Sequence, residues 1–185
     1  ELEKRIDEVL KRVEDEIRKS IRENEEVLKD VERAVKELIK ENERVLEEVR
    51  EEVRKIIERV KEDKDLVRRL EEVAERIKRR VERTSRELDR MLKEVRKEVR
   101  RSSEESKRSL EEIRRKVEEA KRRIRSEDIV REVEKELEDI LRDNRRLVRE
   151  SIESLKDVVR RVAELVERSI RELKKMVDEI RKEAE

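Results

Sequence analysis

A repeat of about 18 residues governs how this chain can fold. Ile6 to Glu23 reads IDEVLKRVEDEIRKSIRE, Asn24 to Glu41 reads NEEVLKDVERAVKELIKE, and Asn42 to Arg59 reads NERVLEEVREEVRKIIER. Apolar columns recur down the blocks: Val9, Val27 and Val45; Leu10, Leu28 and Leu46; Val13, Val31 and Val49; Ile17, Val35 and Val53. About 18 residues make five turns of an α-helix at 3.6 residues per turn, so the apolar stripe runs straight along the helix. A heptad repeat would impose a left-handed supercoil; this spacing predicts nearly untwisted helices.

The spacing returns twice more along the chain. Ile77, Val95 and Ile113 share a column, as do Val81, Val99 and Val117, and further on Val130, Val148 and Val166, then Leu137, Leu155 and Leu173. Each stripe covers roughly 120 to 140°, the arc of a helix with one face in a core. The three stripes differ in phase, by about 100° at the first change and about 200° at the second, at 3.6 residues per turn. One continuous helix would wind its apolar face around the axis and bury little. The phase breaks fall at 61–65 and 125–128, where Asp63 or Asp65, and then Ser126, offer N-terminal caps followed by acidic first turns. The expectation is therefore all-α: a single antiparallel up-down-up three-helix bundle over 1–185, with helices at about 2–61, 64–125 and 127–184. At 1.5 Å rise, each helix would be about 90 Å long.

Composition supports helix and narrows function. Charged residues make up 60% of the chain, yet Lys+Arg 56 nearly cancels Asp+Glu 55. Balanced charge with strong apolar periodicity separates this chain from a disordered one. Gly, Pro, Cys, His, Trp, Tyr and Phe are all absent. Without Cys or His there is no disulfide, thiol nucleophile, imidazole base or usual zinc set, and no cofactor is expected. Without Gly there is no ordinary phosphate-cradling loop. Interspersed charges and no aromatic side chains argue against nucleic acid, and the basic run Arg96–Arg101 is interrupted by Glu98. No apolar run nears the roughly 18 residues of a membrane span, and no signal-peptide core is present. The chain reads as soluble, with no compartment indicated.

The residues that violate the stripe are the informative ones. Asn24 and Asn42 lie mid-stripe in the first helix. Thr84 and Ser85, then Ser102 and Ser103, occupy stripe positions in the second, and Ser151 and Ser169 share a column in the third. In an up-down-up fold, residues of adjacent helices at one height have numbers summing to about 126 and then about 252. Asn42, Thr84, Ser85 and Ser169 then form one layer, and Asn24, Ser102, Ser103 and Ser151 another. Ser20, Ser106, Ser109 and Asn144 fall at a third height. Buried amides and hydroxyls survive in a core where they satisfy one another, so each layer reads as a hydrogen-bond network that sets register. The plainer alternative is that some of these serines mark an exposed stretch, and Ser154, at a stripe edge, is read as surface.

The helix-only alphabet, the straight repeat and the stacked Asn/Ser/Thr layers resemble computationally designed helical bundles with buried hydrogen-bond networks. The lack of Gly at the turns departs from many of them. The resemblance implies a scaffold, an oligomer, a heterodimer half or a cage holding a latch helix. Catalysis finds no support: Glu47, Glu48, Glu51 and Glu52 lie off the stripe, where ion pairs are the ordinary reading, and no base accompanies the serines. Met91 and Met176 occupy stripe columns with Val and Ile and read as gap fillers. The expected role is a non-catalytic, rigid helical rod that requires no partner. The alternative is an open three-helix groove that takes a helical peptide or a second copy, suggested by Ile152 and Ile170 widening the third stripe.

Overall fold

The computed structural model describes all residues from Glu1 to Glu185. It contains three helices and no strand: α1 Leu2–Arg59, α2 Lys64–Arg123 and α3 Glu127–Ala184. Glu, Lys, Arg and Leu sit comfortably in helix interiors, and with no Gly or Pro nothing interrupts runs of 58, 60 and 58 residues.

Two helices end earlier than the stripe alone indicates. α1 stops at Arg59 rather than 61, because the Val60 N–H is shared between the carbonyls of Ile56 (3.2 Å) and Ile57 (3.1 Å), which tightens the last turn. The Asp63 N–H then bonds back to Val60 O at 3.0 Å. Asp63, not Asp65, caps α2: its carboxylate accepts from the Leu66 N–H at 3.2 Å and its carbonyl from the Val67 N–H at 3.0 Å. α2 stops at Arg123 rather than 125, and Ile124, just beyond it, packs against an apolar core. Ser126 immediately precedes α3, whose first turn carries Glu127 and Asp128. No residue has positive φ, so both connections form without the left-handed position that usually calls for Gly.

The single bundle expected over 1–185 packs as two compact units, each built from one piece of every helix. The first comprises Glu1–Asp30 and Glu94–Lys156. Its core joins Ile6, Val13 and Ile17 of α1 to Ile113 and Val117 of α2 and to Leu137 and Leu141 of α3. Here α1 and α2 run antiparallel, as Lys121–Asp7 (2.6 Å) and Arg114–Glu14 (3.1 Å) show. α2 and α3 also run antiparallel, with Lys116 3.7 Å from Glu136. α1 and α3 are parallel, with Arg5 bound to Glu127 at 3.0 Å and Arg12 paired with Glu138.

The second unit comprises Val31–Lys93 and Asp157–Glu185. Val53 and Ile56, Leu70 and Ile77, and Leu173 and Ile180 form its core. Arg80 of α2 pairs with Glu172 of α3, and Arg181 of α3 with Glu52 of α1. In both units the cohesion comes from the stripes, since each fully buried Leu, Ile or Val contributes about 1.5–3 kcal/mol. The surface ion pairs add little, about 0–1 kcal/mol each.

Candidate functional site: the buried polar layers

In the first unit, the Asn24 layer is a bonded triad with one member on each helix. Asn24 is 1% exposed; its Nδ2 donates to Ser102 Oγ at 3.2 Å, and its Oδ1 accepts from the Ser151 hydroxyl at 3.0 Å. Each residue reaches the layer because its helix carries it on the apolar stripe, between Ile21 and Val31 on α1, Val99 and Ser106 on α2, and Val148 and Leu155 on α3. Ser103, the fourth member, is buried beside Ser102, but its hydroxyl has no partner.

The second unit holds the Asn42 layer. The Ser169 hydroxyl donates to Asn42 Oδ1 at 3.2 Å, and both residues are buried. Thr84 is buried and Ser85 half-buried. The Asn42 amide nitrogen has no hydrogen-bond partner.

The third layer is smaller than the four residues expected. The Ser106 hydroxyl donates to Asn144 Oδ1 at 2.7 Å, with both side chains buried. Ser109 turns to its own helix and donates to the Glu105 carbonyl at 3.2 Å, a local bond always within reach of a helical serine. Ser20 is half-buried, at the stripe edge. Ser154 donates to Glu98 at 3.0 Å on the surface.

Sequence patterning did not single out Glu14, the most buried charged residue. It is 9% exposed and is held by Arg114 at 3.1 Å and Arg18 at 3.5 Å. The hydrogen bond from Arg114, followed by the attraction of the two charges, keeps that guanidinium's pKa above its ordinary value. The signal was available: Glu14 directly follows Val13 on the stripe, and the antiparallel register brings Arg114 opposite.

No group of three or more His, Cys, Asp or Glu side chains is placed to hold a metal ion. No helix is long and apolar enough to cross a membrane. A solvent-facing pocket at the α1–α2 face of the second unit brings Ser85 beside Leu46 and Val81. A serine activated for attack needs an adjacent base, and none of the hydrogen bonds in these layers involves a titratable side chain. The chemistry of the layers is thus confined to neutral hydrogen bonding. No protein-family model matches the chain, and neither the curated proteins nor the solved structures give a match.

Proposed function

We propose that this chain is a non-catalytic structural scaffold of designed origin, in which buried Asn/Ser hydrogen bonds fix the register of helices held together by apolar burial. The observation that carries the proposal is the Asn24 triad. Three neutral polar side chains from three helices meet in a water-excluded slice and satisfy one another at 3.2 and 3.0 Å. A neutral network has no titratable group for catalysis, but it penalises misalignment, because every displaced member loses its partner. An alphabet without Gly, Pro, aromatics, Cys or His supports a designed origin.

The second reading is a module that receives a fourth helix, as a partner peptide or a second copy. Half-buried Ile152 and Ile170 favour it. Against it stands the absence of any fully exposed large hydrophobic side chain. Light scattering together with hydrophobic-dye binding separates the two. A scaffold gives one mass at all concentrations and excludes the dye. Mass that climbs with concentration, or strong dye binding, supports helix docking and refutes the closed scaffold.

A further inference from the structure

The Asn24 and Asn42 layers have matching members but different bonding; Asn144, in the third layer, also leaves its amide nitrogen without a partner. Asn24 uses both ends of its amide, the nitrogen on Ser102 and the oxygen for Ser151. Asn42 uses only its oxygen, for Ser169; its nitrogen has no protein partner, although the residue is 0% exposed. The register that sets Asn24 against Ser102 sets Asn42 level with Thr84, each residue 18 positions from its counterpart. The two layers therefore differ at one element: a threonine stands where the bonded layer has a serine. Threonine's branched Cβ restricts χ1, and in a helix its hydroxyl is drawn to carbonyls of the preceding turn.

A buried amide nitrogen left without an acceptor is costly, because the hydrogen bond it made to water in the unfolded chain is not replaced. Protein interiors commonly meet that cost with an ordered water making about three hydrogen bonds. The register sets two further hydroxyls, those of Thr84 and Ser85, level with Asn42. Ser85 lines a solvent-facing pocket of about 550 Å³ with Leu46 and Val81.

We propose that the Asn42 layer is an internal hydration site, in which one water accepts from Asn42 Nδ2 and donates to the hydroxyl oxygen of Thr84 or Ser85. The site rests on the reading of these layers as buried register networks. It gives the Asn42 amide the second partner that Ser102 gives the Asn24 amide. The Asn24 amide, already bonded through Ser102, needs no such water and serves as the internal reference.

Isotope-labelled full-length chain tests the site by water-to-amide NOE and ROE measurements on the Asn side chains. A cross-peak pair of opposite sign at the Asn42 amide, the signature of a long-lived water, is expected, and none at Asn24. Thr84→Ser is expected to remove the Asn42 signal by supplying the partner that Ser102 gives Asn24. A slowly exchanging Asn42 amide with no water cross-peak overturns the hydration site and leaves the register reading standing. Rapid exchange of both amides with bulk water overturns both.

Discussion

Replacing Asn24 by Ala should destabilise the first unit far more than its few lost atoms suggest. Asn24 is 1% exposed, and Ser102 and Ser151, its two partners, are each 6% exposed. Truncation removes the bonds at 3.2 and 3.0 Å and strands two hydroxyls that water barely reaches. Each stranded group costs about 1–3 kcal/mol, partly offset where a serine swings to a carbonyl of its own helix, so the sum is about 2–4 kcal/mol. Removing the three bonded members at once, as Asn24→Leu with Ser102→Ala and Ser151→Ala, strands no further group and should be close to neutral or stabilising. Guanidinium denaturation followed by circular dichroism measures both variants, with an unchanged m-value confirming that stability alone has moved. Amide exchange in the first unit places the effect. If the single substitution shifts stability by less than about 0.5 kcal/mol, within the ordinary range for surface sites, the triad does not act as a network. A triple variant as damaged as the single one refutes the reasoning equally.

Two further outcomes follow from the turn and the surface. Asp63→Ala removes the carboxylate that accepts the Leu66 N–H and should cost about 1 kcal/mol, read as faster amide exchange at Leu66; unchanged exchange would refute the cap. Lys121 is hydrogen-bonded to Asp7 at 2.6 Å, and that bond holds its pKa above the ordinary lysine value of about 10.4. A raised folded pKa means the pair's stabilisation is present throughout neutral pH and is lost only as pH rises through that raised value. An NMR titration should show Asp7→Asn lowering the Lys121 pKa; no change on substitution would break the assignment.

Much of this was legible in the residues, because an apolar stripe of period 3.6 admits few folds. The phase changes near 61–65 and 125–128 located both turns, although the helix ends moved by two residues to Arg59 and Arg123. Those ends depend on local events, the shared Val60 N–H and the inward packing of Ile124, which a stripe does not encode. Height arithmetic brought Asn24 to Ser102 and Ser151, Asn42 to Ser169, and Ser106 to Asn144. It could not tell which way a hydroxyl turns. Ser109 bonds to Glu105 because that carbonyl lies one turn back on the same helix, an option every helical serine has. Nor could it divide 1–185 into two units, since the columns continue without change past Asp30, Lys93 and Lys156.

The same repeat that makes the fold legible also leaves it exposed to slippage, and the polar layers answer that weakness. Connections of four residues after α1 and three after α2 exclude a slip by a whole repeat, but a slip by one helical turn keeps every stripe facing inward. In an all-apolar core such a slip exchanges one aliphatic contact for another. Here Asn24 pairs with Ser151, and a shift of α3 by three or four residues would set it against Val148 or Leu155. Asn42 pairs with Ser169, and the same shift would set it against Val166 or Leu173. All four of those residues are buried and apolar, so Asn24 would keep Ser102 but lose its α3 partner, Asn42 would lose its one side-chain partner, and both serines would be stranded. At about 1–3 kcal/mol per stranded group, one misplaced layer costs as much as one or two fully buried aliphatic side chains contribute. On the proposed scaffold reading, register is enforced by the penalty on the alternatives more than by the strength of the bonds themselves.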